Sequence, residues 1–551
     1  MKKLKYISFV LAASLLAASC SKKIEQKESD PNNASTVQPS LILGTILNDM
    51  SGVNGSTTQG ALGGINSWDL VQAWNQYHCQ NYGYYGNNIY AWTDGSENSD
   101  LSSEGPFNSY LVLKNVVQME QEEATRGGGT VNPYEAIGRF VRAYYYYNVT
   151  SLMGDIPVDE ALEGLANYKP TYTSQEKVFQ YILSELDTAN SDFATLIANQ
   201  DATLSSSQDI YYSGSLSSWQ KLVNSFELRV LVSLSNQSGD AALNVPARFA
   251  AILGNATKYP IFASESDDLQ FVYNPGASNT YSTYPFNPSN FGSIAGRYNM
   301  AYTYVNACTS INDPRVFMTC EPVWNNVGSD TPTKYKYFTG ASTGLDVGIM
   351  YPNASAGDYS FIGRHRYYSN FTGDPNVLVG YKEMLFNIAE GIERGWASGN
   401  AATYYQNGIT TSLAFFGIDV SDTSFTAYFL PPGVSNVENV KAYPFTFKWN
   451  DYYAQSAVQL SSTPATAIQQ IVYQKYLAMF ETSGYEGYFN WRRTGVPAFQ
   501  SGTGIGNNGI IPLRWAYPTT EQTQNATNWQ AALTNQGFTA DDLNQKMWLL
   551  K

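Results

Sequence analysis

The sequence has little histidine and no pattern that would build a catalytic or metal centre around it. Among its 551 residues only His78 and His365 are histidines, and neither lies in a nucleophile motif or among cysteines at metal-ligand spacing. No GxSxG elbow is present, and the glycine-rich run at 502–509 lacks the strand–turn–helix context of a nucleotide-binding loop. The sequence therefore predicts no catalytic residue, no metal site and no cofactor. Calcium binding is the alternative left open, because Asp/Asn-rich loops such as 325–330 offer oxygen ligands, although nothing matches an EF-hand.

Charge is also scarce. Charged residues make up 14% of the chain, the formal net charge is -14, and the pI is about 4.7. A protein of this charge cannot neutralise phosphates over a broad face, which excludes nucleic acid as a partner. After residue 20 no apolar run is long enough to span a membrane as a helix.

Cysteine is the third scarce residue, with four in the whole chain. Beyond Cys20 there remain Cys79, Cys308 and Cys320, and three cysteines cannot all pair internally. Cys308 and Cys320 are candidates for a disulfide in an oxidising compartment, but their spacing alone leaves this open.

Aromatic residues, by contrast, are abundant: they make up 14% of the chain, with 42 tyrosines. They are crowded in residues 78–95, where glycine and asparagine disfavour a helix. Tyrosine and tryptophan offer a flat apolar face and a hydrogen-bonding group, as carbohydrate- and peptide-binding surfaces require. The ligand-site candidates in this segment are Tyr82, Tyr84, Tyr85, Tyr90 and Trp92. The alternative for each ring is a loop folded down onto the core.

A second group of aromatic candidates lies in residues 237–376, where helical patterning gives way to short runs broken by Gly, Asn, Pro, Ser and Thr. A long irregular insertion on a helical scaffold usually carries function. The runs at 269–275 and 334–340 are candidate short strands. Tyr284 and Trp324 are the principal ligand candidates of this insertion, and Tyr281 and Phe286 accompany them.

Apolar residues at helical spacing predict a scaffold on both sides of this insertion. The predicted helices begin near Pro39, Trp68, Phe107, Pro133, Ser174, Ser217, Val377 and Thr403. They follow one another like helix-hairpin repeats, in which each hairpin buries its face on the next. The helical scaffold is assigned to residues 40–236 and 377–500. Within it residues 417–463 are expected to be irregular, and the tail at 501–551 is expected to be mostly loop.

The first residues have the pattern of an export signal. A basic start at Lys2, Lys3 and Lys5 precedes a short apolar run, and small residues then lead to Cys20. This pattern resembles a bacterial lipoprotein signal at 1–19 with lipidation on Cys20. An ordinary secretory signal is the alternative. Residues 20–39 are polar and rich in Pro and Asn, and they read as a flexible tether before one folded domain at 40–551.

A block of aromatic and arginine residues follows the helical pattern that begins at Ile471. It contains Tyr488, Trp491, Arg492 and Arg493. Arginine beside tryptophan and tyrosine can stack and pair at once. We predict that the block is structural and locks the last helix pair to the tail at 511–518.

Several segments stand out in order along the chain. They are Cys20 after a signal, IGRFVRAYYYYNVTSLMGDIPVDEAL at 137–162, SWQKLVNSFELRVLVSLSN at 218–236, Asp313-Pro314-Arg315, YKEMLFNIAEGIERG at 381–395, EGYFNWRRTGVP at 486–497 and IPLRWAYPTTEQ at 511–522. In this order they resemble the SusD/RagB family of outer-membrane lipoproteins. The resemblance implies a mainly α fold. Tetratricopeptide-like helix pairs would form the scaffold, and long irregular loops with a few short strands would form the ligand face.

The same resemblance implies a function. Family members bind nutrients without catalysis and pass them to a TonB-dependent, SusC-like outer-membrane transporter, which they cap like a lid. The expected ligand is an oligosaccharide or a peptide, and the expected location is the outer membrane, reached through the lipid anchor and facing outside. The chain departs from the family in one respect: the acidic cluster often linked with surface export does not follow Cys20 directly. Residues 21–23 are Ser-Lys-Lys, and acidic residues follow only later, at Glu25, Glu28 and Asp30, so a periplasmic orientation is the alternative.

Two other classes of protein stay open at this level. With 46 aspartates and glutamates, the carboxylate pair of a secreted glycan hydrolase is not excluded by counting. A structural lid of a transporter, with no ligand of its own, is the third possibility. Product release from glycans would identify the hydrolase, and transporter binding without any ligand would identify the lid.

Overall fold

The computed structural model describes residues 36–51, 70–81, 105–275, 284–289 and 291–551. Helices predominate over strands in the described chain, and the longer ones have at least nine residues. They are α1 (Pro39–Met50), α3 (Ser109–Thr125), α4 (Pro133–Met153), α5 (Gln175–Ala198), α6 (Leu216–Ser233), α7 (Val245–Gly254), α12 (Val347–Ala356), α14 (Tyr381–Glu393), α15 (Ala401–Phe415), α17 (Pro464–Ala478), α18 (Glu486–Thr494) and α20 (Ala526–Gln536).

Shorter elements lie between these helices. The short helices are α2 (Leu70–Trp74), α8 (Phe291–Ile294), α9 (Tyr302–Thr309), α10 (Arg315–Thr319), α11 (Trp324–Val327), α13 (Arg364–Tyr368), α16 (Trp449–Tyr453) and α19 (Thr519–Gln524). The strands are β1 (His78–Gln80), β2 (Leu269–Phe271), β3 (Tyr298–Met300), β4 (Asn376–Val379), β5 (Ser424–Phe429) and β6 (Lys441–Thr446). They form three antiparallel pairs, β1 with β3, β2 with β4 and β5 with β6.

Local chemistry explains where the scaffold helices begin. The Asn132 side chain accepts a hydrogen bond from the Glu135 amide at 2.9 Å, and Pro133 occupies the first turn of α4. Helix α6, predicted to begin near Ser217, is capped by Ser215, whose side chain accepts from the Ser218 amide. Ser174 makes no capping bond with its side chain. Instead, the Asp155 carboxylate accepts from the first amide of α5.

The helices pack in sequence, as the repeat pattern predicts. Helix α1 contacts α3, α3 contacts α4, α4 contacts α5, and α5 contacts α6. Helix α6 then meets α14, which packs on α15 and α17. One hydrophobic core follows the first of these helices, and a second, richer in aromatic rings, lies under α9, α15, α17 and the β5–β6 hairpin. The mainly α fold with paired helices is confirmed.

Local predictions in four segments differ from the structure. The insertion at 237–376, predicted to lack helices, contains several, including α7 and α12. Helix α12 has no apolar stripe in its sequence because most of its residues are exposed. The run at 334–340 is a 3₁₀ turn, although 269–275 does contain β2. Residues 417–463 hold the β5–β6 hairpin, and the tail contains α19 and α20. In β5 alternate residues Phe425, Ala427 and Phe429 are buried, and this two-residue period was the missed signal.

The three described cysteines, Cys79, Cys308 and Cys320, are buried, and no disulfide joins any two of them. Burial raises the pKa of the Cys308 thiol and raises that of Cys320 to about 12. Within the described ranges, no helix is both long enough and apolar enough to cross a membrane. The predicted signal and Cys20 lie outside the described residues. Of the predicted tether, only residues 36–39 are described.

Candidate ligand-binding site

The predicted aromatic segment lies outside the described residues, and Tyr82, Tyr84, Tyr85, Tyr90 and Trp92 stay a prediction. The described residues just before this segment are buried and hydrogen-bonded. Strand β1 is buried, and Asn81 donates from its side chain to the Asn299 side chain at 2.5 Å. His78 pairs with Glu481, a buried carboxylate that follows α17. Burial raises the pKa of Glu481, and the neighbouring His78 partly offsets this.

Tyr284, one of the two principal ligand candidates of the insertion, is fully buried in the aromatic core. Its ring lies edge-on to Tyr273 at 5.1 Å and to Phe286 at 5.7 Å. Burial raises the pKa of its hydroxyl, which makes no hydrogen bond to a described residue. Tyr284 therefore contributes to packing in this conformation rather than to an open stacking surface. Tyr281 lies outside the described ranges.

Trp324, the other principal ligand candidate of the insertion, is half-buried at the start of α11. Its ring is tilted against Tyr443 of β6, with 6.0 Å between the centroids. The indole Nε1 is shielded from solvent and has no hydrogen-bond partner among the described residues. The structure does not bring Trp324 and Tyr284 together through any described ring contact.

The described surface has an open cleft of about 410 Å³ beside the β5–β6 hairpin, a volume typical of small-ligand sites. Its lining residues are Asn312, Tyr335, Thr446, Phe447, Lys448, Asp451, Tyr452 and Gln455. They come from the end of α9, the 3₁₀ turn at Tyr335–Tyr337, the end of β6 and α16. None of them was predicted, because the hairpin and α16 were themselves not predicted.

Residues outside the cleft contact its aromatic side chains and hold them in place. The Tyr335 ring stacks on Phe317 at 4.6 Å, and its hydroxyl makes no hydrogen bond to a described residue. Tyr452 is buried, and its hydroxyl bonds to the Asp313 carboxylate and accepts from the Gln474 side chain at 2.9 Å. Burial raises the pKa of both tyrosines, so both hydroxyls are neutral at physiological pH.

Polar side chains stand at the open edge of the cleft. Asn312, Lys448 and Asp451 are exposed, and Lys448 and Asp451 make no ion pair with a described residue. Gln455 donates from its side-chain nitrogen to the carbonyls of Ile311 and Tyr452, and its side-chain oxygen makes no hydrogen bond to a described residue. Fixed rings beside free donors and acceptors suit a ligand with apolar faces and many hydroxyls. Across the described residues, no cluster of His, Cys, Asp and Glu could hold a metal ion.

The arginine block is structural, as predicted. Tyr488 donates its hydroxyl to the Pro512 carbonyl at 2.6 Å, and Arg492 donates to the Leu513 carbonyl at 2.8 Å. Arg492 also bonds to the Ser151 carbonyl at the end of α4. The Trp491 ring stacks on Phe499 at 4.9 Å. The block thus joins α18 to the tail and to α4, and the lock is confirmed.

A family model and several solved structures are similar to this chain, and all of them point to the same family. A family model described as starch-binding and associating with the outer membrane, SusD-like, matches residues 31–518. A SusD homologue of known crystal structure from Bacteroides fragilis is 27% identical, with a TM-score of 0.74; the match covers 94% of this chain and 100% of that one. Another from the same species is 28% identical, with a TM-score of 0.72 and the same coverage.

A chitin-binding SusD homologue from Flavobacterium johnsoniae is more distant. It is 20% identical, with a TM-score of 0.67, and the match covers 93% of this chain and 98% of that one. At this identity the likeness concerns the fold alone. No curated protein matches the chain.

Proposed function

Because the chain belongs to the SusD-like family of starch-binding proteins that associate with the outer membrane, we propose that it is a non-catalytic, lipid-anchored nutrient-binding protein. It binds an oligosaccharide at the cell surface and delivers it to a TonB-dependent, SusC-like transporter. The observation that carries the ligand assignment is the cleft beside the hairpin, where aromatic rings lie beside exposed and half-buried polar side chains.

The cleft favours a sugar over a purely apolar ligand. Stacking of one sugar ring on Tyr335 is worth on the order of 1 kcal/mol, so useful affinity also needs hydrogen bonds from the polar edge. Asp451 and Gln455 supply acceptors for sugar hydroxyls, and Lys448 and Asn312 supply donors. The predicted aromatic segment at 82–92 would add further stacking surfaces for a longer chain of sugars.

The cleft is tested by calorimetry with neutral oligosaccharides, such as malto- and chito-oligosaccharides. Tyr335→Ala is expected to weaken binding of the best of these about 10-fold, since it removes the stacking ring. Tyr168→Ala is the matched control, because Tyr168 is 75% exposed and does not line the cleft. Equal affinity in Tyr335→Ala and wild type would move the sugar site away from the cleft.

The other parts of the proposal have separate tests. Cys20→Ala is expected to release the protein from the outer-membrane fraction, because it removes the lipidated residue. A transporter should co-purify with the wild-type protein from membranes of the source cell. Incubation with the bound glycan should leave chain length unchanged, and shortened products would identify a hydrolase instead.

A further inference from the structure

Arg364, at the start of α13, has an exceptional environment for an arginine of this protein. Its guanidinium makes no hydrogen bond and no ion pair with any residue that the structure describes, and its Nε is shielded from solvent. Two residues later on the same helix, Arg366 pairs with Asp374 at 2.7 Å and donates to the carbonyls of Phe415 and Phe416. Arg366 is thus a structural arginine, and Arg364 is not.

The guanidinium of Arg364 is held between side chains that fix its position without using its donors. It lies over the Phe361 ring, 4.5 Å from the centroid, and over the Phe291 ring at 5.8 Å. Phe291 is in turn packed against Tyr368 at 5.4 Å. Arg364, Phe361 and Phe291 are each only half-buried, so a ligand can reach them.

The buried carboxylate of Glu321 interacts electrostatically with this arginine, but the two side chains are not hydrogen-bonded to each other. Glu321 is buried, and its two side-chain oxygens accept from the backbone amides of Arg364 and Leu430, each at 3.0 Å. The guanidinium forms no ion pair with Glu321. In a chain with a net charge of -14, a positioned and unpaired arginine is a specific signal for a negatively charged group on a ligand.

We propose that Arg364, Phe361 and Phe291 form a subsite for a carboxylate-bearing sugar, so that the ligand is an acidic oligosaccharide containing uronic acid. The planar guanidinium pairs with the carboxylate through two parallel hydrogen bonds, and the phenyl rings contact the apolar face of the sugar. This inference rests on the proposed function, because it assigns the chemical class of the same nutrient. Arg364 does not line the hairpin cleft, so the two sites are separable by mutation.

The test compares three probes by calorimetry: oligogalacturonate, its fully methyl-esterified form, and a neutral oligosaccharide. Wild type is expected to bind the acid roughly 10- to 100-fold more tightly than the ester, since the ester lacks the charged partner. Arg364→Gln should reduce affinity for the acid to that for the ester and leave neutral binding unchanged. Raising the salt concentration should weaken acid binding in wild type but not in the variant.

Two further variants control for general effects. Arg126→Gln removes an arginine that lies outside the subsite and is paired with Glu122, and it should bind the acid as wild type does. Arg364→Lys keeps the charge but loses the bidentate geometry, so it should show intermediate affinity. If Arg364→Gln does not fold, the acid-to-ester ratio of the wild-type protein still tests the subsite.

The outcomes separate this inference from the proposed function. Equal affinity of wild type for acid and ester, or of wild type and Arg364→Gln for the acid, would overturn the subsite. Neutral glycan binding that depends on Tyr335 would then still support the proposed function. Binding of an acidic peptide through Arg364, with no glycan bound, would overturn the acidic-glycan assignment and the oligosaccharide role together.

Discussion

The helical scaffold and the loop-rich region around α11–α13 contain contrasting examples of buried charge. In the scaffold, arginines and glutamates pair closely: Arg229 of α6 donates to Glu383 of α14 at 2.8 Å, and Arg493 of α18 pairs with Glu390 of α14. In the loop-rich region, Glu321 is held by backbone amides, and Arg364 has no ionic partner among the described residues.

This difference separates two uses of charge. Burying a charge is costly unless it is paired, so the scaffold pairs fix which helices meet. An unpaired arginine contributes nothing comparable to the fold, and it stays available for a ligand. Mutations of the paired scaffold charges are therefore expected to act through stability, whereas mutations of Arg364 and Glu321 are expected to act through ligand binding and pH dependence.

The largest effect is expected where the two regions join, at Arg315. Its guanidinium is fully buried and bonds to Asp313, to Ser412 of α15 and to Gln474 of α17. Arg315→Met leaves the Asp313 carboxylate buried and unpaired, so it should lower the free energy of unfolding by roughly 3–5 kcal/mol. Urea unfolding followed by circular dichroism measures this change.

The matched control for that experiment is Arg126→Met, at an arginine side chain that is 35% exposed and weakly paired. It should change stability far less. An Asp313→Asn, Arg315→Met double variant should recover part of the loss, because no charge is then left unpaired. A loss below about 1 kcal/mol in Arg315→Met would mean that the junction tolerates an unpaired carboxylate.

A smaller effect is expected at the scaffold lock. Arg492 lies over the Tyr488 and Phe489 rings and donates to the carbonyls of Leu513 and Ser151. Arg492→Ala should lower the free energy of unfolding by about 2 kcal/mol, since charged hydrogen bonds of this kind are worth about 1.5–3 kcal/mol. Thermal unfolding and glycan calorimetry should be run on the same sample.

Stability should fall in Arg492→Ala while ligand affinity stays at the wild-type value. The reverse result, lost affinity with unchanged stability, would place the arginine block in the binding site. Arg492→Lys is a useful companion, because lysine keeps one donor and should lose less stability than alanine.

The scaffold half of this comparison was largely predictable from sequence. Helix α4 follows from Pro133, its apolar stripe and the glycine at 154, and the lock follows from arginines set among aromatic residues. These signals are local or periodic, and packing reinforces them. The capping of α5 was less accessible, because its acceptor is Asp155, which lies twenty residues before Gln175 in sequence.

The ligand face was far less predictable. Tyr284 and Trp324 belong to the aromatic class that binds sugars, yet composition cannot tell a buried ring from an exposed one. The cleft depends on a hairpin that brings residues 446–455 beside Tyr335, which is a long-range contact with no local signal. Arg364 differs from Arg366 only through its partners, and a sequence does not contain these.

The smallest effect, and the one most specific to the loop-rich region, concerns the pH dependence contributed by Glu321. Burial raises the pKa of Glu321 from 4.5 to about 7, although Arg364 and two backbone amides act in the other direction. The folded state therefore holds the proton more tightly than the unfolded state. This contribution to stability is fully present below about pH 4.5 and is lost as the pH rises through 7.

Glu321→Gln removes that titration. The free energy of unfolding of wild type should fall from pH 5 to pH 8 by about 1–2 kcal/mol more than that of the variant does. Urea unfolding of both proteins at both pH values measures this difference. Glu390 is the opposite case: burial would raise its pKa, but Arg493 and Arg394 hold it at about 2. Glu390→Gln should therefore cost the same stability at pH 5 and pH 8. Equal pH profiles for the two variants would show that the two regions do not differ in how they hold buried charge.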